Sequence, residues 1–484
     1  MKKKPNILVF MTDQQLGDTI CEGNLTQTPN VDRLKAQGIH FTHSYCPAPH
    51  CCPSRATFFS GLYPSEHNVW NNVEVNNALS RGLYDGVELL PEMLKAEGYQ
   101  TIFSGKWHVS GHEGPGERGF DEVLFEKTTN GGRKKLENKP QIDDWELSYG
   151  EGALLDTKES QKEFGRIVRE GYPTYYQFGV DNEPFGDQIT VERACKRLKT
   201  MNKDVPFFMY VGVIGPHDPY NPPQEFIDRY RIEDITLPPN FHDTLNNVPN
   251  LYKRTKNRFD LTEEEHKESI RRYMAFCTYE DDLFGKVLDT LEEKDLVEDT
   301  LIIYLSDHGD YMGAHGLWAK GLPCYREAYQ ICTVIGGGGL TTEPKVCDVL
   351  VSLADITPTI MDVVGAKRKD LTGQSLRPFL ENEVPIKWRT EIYTQTNGNE
   401  LYGIQRAVWN KEWKYVYNGF DLDQLYNLEE DPLEMDNVID DPTNQEIVRE
   451  MWVKLWQFVK EHKDPIFCPY IMVSLAPYGP GISK

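Results

Sequence analysis

Three apolar runs constrain this chain more than any other feature. Asn6–Met11 (NILVFM), Phe207–Ile214 (FFMYVGVI) and Leu301–Leu305 (LIIYL) do not alternate between apolar and polar residues. A strand with water on one face alternates, so a strand that does not alternate needs cover on both faces. Helical segments lie between the runs and can supply it. Thr28–Lys35 opens a helix, Leu89–Glu97 reads as another that stops at Gly98, and a long pattern with a Glu-rich start spans Thr262 to Lys294. Ile39–Tyr45 and Gln100–Ser104 are further strand-like segments. Strands alternating with helices predict an α/β fold on a mostly parallel sheet flanked by helices.

The texture changes after about residue 370. ELYGIQRAVWN and KEWKYVYNG read as antiparallel strands with turns at Asn-Lys and Asn-Gly, followed by an amphipathic helix near Glu446–Lys460. We therefore expect an α/β domain over residues 1–370 and a smaller α+β subdomain over 371–484. The final DPIFCPYIMVSLAPYGPGISK has neither period and reads as a surface tail. Near the start, three lysines precede the first apolar run, as in a secretory leader. Ile7–Met11 is too short for that role and Asp13 ends it, so the segment reads as the first strand of a cytoplasmic protein. No stretch approaches transmembrane length.

Two of the apolar runs end in oxygen-rich residues, Thr12-Asp13-Gln14-Gln15 and Ser306-Asp307-His308-Gly309-Asp310. Ligands in open α/β sheets bind beyond the carboxyl ends of strands, so these ends form a cation site if the strands are neighbours. Either Asp alone could equally be a helix cap or turn residue. The stretch HCCPSRATFFSG, His50 to Gly61, also has alternatives: a helix start with Pro53 in the first turn, or a cluster of Cys46, His50, Cys51 and Cys52. Adjacent cysteines bend poorly onto one ion, which weakens the second reading. The net charge of −23 argues against nucleic-acid and anionic-membrane partners. An anionic small substrate would need a local cluster of cations.

Cys51-Cys52-Pro53-Ser54-Arg55 followed by Ser60-Gly61 resembles the Cys-x-Pro-Ser-Arg signature of the formylglycine-dependent sulfatases. The resemblance extends through PNILVFMTDQQ, TPNVDRLKAQGIHFTHSYC, GYQTIFSGKWH, PHDPY and SDHGDYMGAHGLWAKG to KYVYNGFDLDQLYNLEEDPLEMDN. It implies an alkaline-phosphatase-like fold and places the special residue at Cys51, with Cys52 at the variable position. In that family a maturation enzyme oxidises the cysteine to formylglycine. The hydrated aldehyde attacks sulfur, and its second hydroxyl then expels sulfate.

The resemblance implies roles residue by residue. Asp13, Gln14, Asp307 and His308 match metal ligands, together with the modified Cys51. Arg55 matches the arginine that holds the diol, and Lys106 and His108 match the pair that binds sulfate and takes the diol proton. His217 and Lys320 match residues that hold sulfate and protonate the leaving oxygen. His50, His67, His112 and His315 are weaker candidates, and the run from Gly131 to Lys135 could face substrate or solvent.

Gln14 and His308 stand where many relatives carry Asp and Asn. Both changes reduce negative charge at the cation, and the imidazole adds a nitrogen ligand. Calcium is the expected ion and manganese the alternative. Phosphonate monoester hydrolases share Asp-Gln and Asp-His at these positions, whereas the Lys106/His108 pair is the sulfatase arrangement. The expected activity is therefore hydrolysis of a sulfate monoester, on a sulfated carbohydrate. Phosphonate monoester or phosphodiester hydrolysis comes second, and a non-catalytic anion- or metal-binding relative third.

Overall fold

The structure, a computed structural model, describes residues 4–75, 78–127, 163–169, 172–340, 343–366, 368, 370–383, 385–399 and 401–468. The run from Gly131 to Lys135 and the terminal segment beyond Cys468 lie outside the described residues.

Eight strands form the main sheet: β1 (Asn6–Thr12), β2 (Gly38–Tyr45), β3 (Gln100–Lys106), β4 (Glu122–Lys127), β7 (Phe207–Gly212), β8 (Thr300–Ser306), β9 (Thr333–Gly337) and β10 (Lys345–Ser352). Their spatial order is β10-β2-β9-β8-β1-β7-β3-β4. Strand β9 alone runs antiparallel to both its neighbours; the other pairs are parallel. Arg166–Arg169 (β5) and Tyr172–Tyr176 (β6) make a separate two-stranded ribbon.

The three apolar runs are the central strands β1, β7 and β8, and every residue of each is buried. Successive side chains point to opposite faces of a sheet, and the core divides accordingly. Ile7, Val9 and Met11 join one apolar cluster with Phe58, Phe59 and Ile360; Leu8 and Phe10 join another with Tyr273, Phe276 and Phe284. Helices Cys51–Ser60 and Ile356–Val363 therefore cover one face, and the helix Glu263–Glu293 covers the other. That long helix begins at a capping box in which Thr262 and Glu265 satisfy each other's backbone N–H groups. Each fully buried Leu, Ile or Phe contributes about 1.5–3 kcal/mol relative to an exposed one, which makes this two-faced cover the main stabilising feature.

The four-stranded antiparallel sheet consists of β11 (Ile392–Gly398), β12 (Tyr402–Trp409), β13 (Trp413–Asn418) and β14 (Gln424–Asn427). Its faces also divide by alternation. Val408, Tyr415 and Tyr417 pack with Trp452 and Trp456 of the helix Gln445–Glu461, while Ala407, Trp409 and Val416 join the main core. Among the described residues, no helix is long and apolar enough to cross a membrane.

Candidate active site

Strands β8, β1, β7 and β3 are contiguous and parallel, so their carboxyl ends share one edge of the sheet. Asp13 and Gln14 leave β1, Asp307 and His308 leave β8, Lys106 ends β3 with His108 two residues on, and His217 follows β7. Close strand approach here needs Gly105: a Cβ at this residue (φ +113°) would fall 1.9 Å from the Gly212 carbonyl oxygen. Cys51 is delivered by the turn after β2. His50 caps the helix Cys51–Ser60 in extended backbone, all ten helical residues are buried, and Gly61 ends it at φ 70°.

These elements meet in one cluster. Ligand atoms of Asp13, Cys51, Asp307 and His308 all lie within 4.8 Å of one another, and all four residues are buried. Arg55 organises the carboxylates from one planar fork. Its Nη2 donates to Asp13 Oδ2 at 2.9 Å, its Nε to Asp307 Oδ2 at 2.8 Å, and its Nη1 to Tyr210 Oη and the Lys106 carbonyl. Asp307 Oδ1 accepts from the backbone N–H groups of Gln14 and His308. His308 Nδ1 lies 2.9 Å from the Gly309 carbonyl, which makes Nδ1 the protonated nitrogen and leaves the Nε2 lone pair facing Cys51 Sγ at 3.4 Å. Two carboxylates, one oriented imidazole nitrogen and the atom at position 51 fit a single divalent cation.

Cations surround this anionic centre. Lys106 Nζ donates to Asp13 Oδ2 at 2.6 Å. Burial and Cys51 push the Asp13 carboxyl up, but Lys106, Arg55 and His217 outweigh them and hold it below its ordinary value. Burial also opposes ionisation of Cys51, yet Lys106, Lys320 and His308, with a hydrogen bond from His108, bring its thiol well below the usual range. His108 takes a left-handed backbone (φ 51°), and its Nδ1 is buried with no hydrogen-bond partner among the described residues. Lys320 Nζ is 2.7 Å from His217 Nε2, and His217 Nδ1 is 2.6 Å from the Asp218 carbonyl oxygen.

Gln14, assigned to the metal by resemblance, is engaged at both ends of its amide. Its oxygen accepts from Lys320, and its nitrogen donates to Asp310 Oδ2 at 2.6 Å and Asp218 Oδ1 at 3.2 Å. A cation on one side and two carboxylates on the other satisfy this buried amide, and Gln14 ties the Lys320–His217 pair to the sheet. Burial pushes Asp310 up to about 6 against hydrogen bonds from Tyr220, the Met312 amide and Gln14. Sequence reasoning missed Asp218, Asp310 and Tyr210. Asp218 and Asp310 sit inside quoted motifs, but nothing local distinguishes them from turn residues, and Tyr210 reads as one apolar strand residue among several.

The weaker histidines fall elsewhere. His67 Nε2 meets Thr57 Oγ1 at 3.0 Å and its Nδ1 accepts from Val69 N–H, a structural placement. His315 is buried against Asp243 at 2.6 Å, and His112 is exposed. Cys46 and His50 are buried outside the four-residue cluster.

An alkaline-phosphatase-like sheet with carboxylates, an imidazole and a ring of cations at its carboxyl edge defines a metal-assisted ester hydrolase. The sequence comparisons carry this further. The Sulfatase family model matches residues 5–366, and the model of the N-sulphoglucosamine sulphohydrolase C-terminal region matches residues 313–461. The chain is 30% identical to choline-sulfatase of Rhizobium meliloti (strain 1021), over 91% of this chain and 83% of that protein. It is 25% identical to an N-acetylglucosamine-6-O-sulfatase of Bacteroides thetaiotaomicron, over 96% and 87% respectively. The fold is similar to that of the phosphonate monoester hydrolase of Agrobacterium radiobacter, with a TM-score of 0.76 at 22% identity, covering 95% of this chain and 96% of that one. The chain belongs to the sulfatase family and is a sulfuric ester hydrolase. That family works with a divalent metal and a formylglycine made from cysteine, and the buried Asp13–Cys51–Asp307–His308 cluster fits both.

Proposed function

We propose that this enzyme hydrolyses a sulfate monoester of a carbohydrate to an alcohol and inorganic sulfate, with formylglycine at position 51. One observation carries the reading: Cys51 lies inside the buried carboxylate–imidazole cluster, with Lys106 on Asp13 and the Lys320–His217 pair on Gln14 beside it. The carbohydrate assignment is supported by the N-acetylglucosamine-6-O-sulfatase relative and by the C-terminal match.

When bound, the metal and the hydrated aldehyde supply a nucleophilic oxygen at neutral pH and positive charge for the ester oxygens. The chain's own residues position and discharge the reaction. Arg55 sets the spacing of Asp13 and Asp307. Lys106 stays cationic on Asp13 and offers a charge-assisted contact to a sulfate oxygen. His108, two residues beyond the end of β3, has a buried Nδ1 with no partner among the described residues, so it can take a proton from the group at position 51. On the other side the His217–Lys320 pair supplies the proton to the departing alcohol oxygen.

Calcium is the ion we assign; the His308 nitrogen makes manganese its competitor. Cys51 is only 1% exposed, so a maturation enzyme has to reach it before the site closes. The Asp13-Gln14 and Asp307-His308 pairs, with the phosphonate hydrolase fold likeness, favour phosphonate ester hydrolysis as the second activity.

The test is mass spectrometry of the Cys51 peptide from protein produced with a formylglycine-generating enzyme, followed by parallel assays on 4-nitrophenyl sulfate and 4-nitrophenyl phenylphosphonate. Formylglycine with faster sulfate ester turnover is the expected result. A preference for the phosphonate reverses the order, and an unmodified, inactive chain refutes both.

A further inference from the structure

One short turn of the chain grips His217 from two directions. The 3-10 turn Pro184–Gly186 leads directly into the helix Asp187–Leu198. Phe185, inside that turn, has a left-handed backbone with φ 54° and ψ 0°. A bulky side chain rarely adopts this region, so contacts elsewhere have to hold it there. They are made by the ring. It stacks on Phe276 with centroids 6.0 Å apart and planes at 11°, and it stands perpendicular to the His217 imidazole at 6.5 Å and 88°.

Two residues on, Asp187 holds the backbone that leads to the same histidine. Its side chain is buried and does not cap its own helix. Instead Oδ2 accepts from the Ile214 and Gly215 N–H groups at 2.9 and 2.8 Å, and Oδ1 lies 3.0 Å from the Ile214 nitrogen. The Gly215 carbonyl in turn accepts from the Asp13 N–H at 3.2 Å, and the His217 N–H donates to the Ile214 carbonyl at 3.0 Å. The loop has no room to slide beneath this clamp. A Cβ on Gly215 would fall 2.0 Å from Glu280 Oε1 and 2.4 Å from the Phe276 ring.

Ring and backbone of His217 are thus fixed by one element, while its nitrogens face the Asp218 carbonyl at 2.6 Å and Lys320 Nζ at 2.7 Å. Proton transfer to a departing oxygen needs a donor held within hydrogen-bond reach, and a small misplacement costs rate. We propose that Phe185 and Asp187 are positioning residues for the leaving-group acid: they hold His217, and through it Lys320, where the departing oxygen takes its proton. As the sulfur–oxygen bond breaks, its electron pair goes to the alcohol oxygen, which accepts the proton of the His217–Lys320 pair. The proposal rests on the reading of that pair as the proton donor.

The test compares kcat/KM for two esters with the matured, metal-loaded enzyme. The phenolate of 4-nitrophenyl sulfate leaves readily, whereas the more basic oxygen of phenyl sulfate depends on protonation. His217→Ala sets the scale: its ratio of nitrophenyl to phenyl values should rise by roughly 100-fold or more, as for a lost general acid. Asp187→Asn and Phe185→Leu should each raise the same ratio by about 10-fold. Phe185→Tyr, which keeps the ring, should bring it back close to the wild-type value. A ratio that rises in His217→Ala but stays at the wild-type value in Asp187→Asn and Phe185→Leu overturns the proposal. General damage slows both esters equally and leaves the ratio unchanged, so it also counts against it. Should Asp187→Asn fail to fold, the Phe185→Leu and Phe185→Tyr pair decides. A His217→Ala enzyme with the wild-type ratio refutes the leaving-group role of His217 itself, and matured wild type inert on both esters refutes the proposed activity; the positioning role falls with either.

Discussion

Lys106 Nζ sits 2.6 Å from Asp13 Oδ2, and both side chains are almost completely buried. This ion pair neutralises part of the charge at which a divalent cation would bind. Lys106→Ala should cost about 3 kcal/mol of stability in metal-free protein, because it strips one counter-ion from a buried carboxylate. Added calcium should restore part of that loss, since the ion replaces the missing charge. Urea unfolding with and without calcium measures both effects. Turnover should fall by roughly 100-fold or more, as expected for a lost catalytic cation.

Arg55 holds Asp13 and Asp307 from one fork. Lysine keeps the charge but cannot span both carboxylates. Arg55→Lys should weaken metal binding by about 10- to 100-fold, read by calorimetric titration of calcium. Affinity equal to the wild type would mean that the carboxylates hold their spacing without the fork.

The two adjacent cysteines should separate cleanly. Cys51 lies in the ligand cluster, whereas Cys52 Sγ accepts from Val73 N–H at 3.4 Å on the core side. Cys51→Ala should abolish sulfate ester turnover and leave the circular dichroism spectrum unchanged. Cys52→Ala should keep turnover, with a stability loss of about 1 kcal/mol from a small core deletion. Loss of formylglycine in Cys52→Ala would reassign the processed residue.

His308 Nε2 faces the cluster while its Nδ1 is occupied by the Gly309 carbonyl. Replacing this nitrogen donor by an amide oxygen, His308→Asn, should shift the ratio of manganese to calcium affinity toward calcium. Competitive loading followed by elemental analysis reads the ratio directly; no shift would remove His308 from the ligand set.

Beneath the His217 loop, Asp187 accepts from the Ile214 and Gly215 amides, and the Glu280 carboxyl is buried against it. Two buried carboxylates in contact do not both ionise. Burial raises Asp187 to about 6 and lifts Glu280 well above its ordinary value. Their folded pKa values exceed the unfolded ones, so the stability they contribute is fully present below about pH 4 and declines as pH rises through 6 and beyond. Glu280→Gln should flatten that decline, by up to about 1.4 kcal/mol per pH unit for the one proton involved. Chemical denaturation between pH 5 and pH 8 checks it; parallel curves would contradict it.

Much of the fold was legible because its signals are local. Unalternating apolar runs announce strands covered on both faces, and the Glu-rich start after Thr262 announces the long helix. The motif Cys51-Cys52-Pro53-Ser54-Arg55 carried the chemistry through resemblance; the strand ends marked Asp13, Asp307 and His308 as belonging to a candidate cation site, and the resemblance made them ligands. The hydrogen bonds of Gln14 were not legible in the same way. They run to Lys320, Asp310 and Asp218, residues whose proximity no spacing along the chain expresses.

By itself, the sequence determined which segments become strands and helices and which residue types reach the strand ends, because burial pattern and capping act within a few residues. Tertiary structure decided the order β8-β1-β7-β3, and so which ends meet. It also decided that Gln14 braces a lysine and that Arg55 joins two carboxylates 294 positions apart (Asp13 and Asp307). Those outcomes depend on long-range packing. Hydrogen bonds and ion pairs reach about 3 Å in space at any separation along the chain, so only the assembled sheet selects which of the available partners are within range.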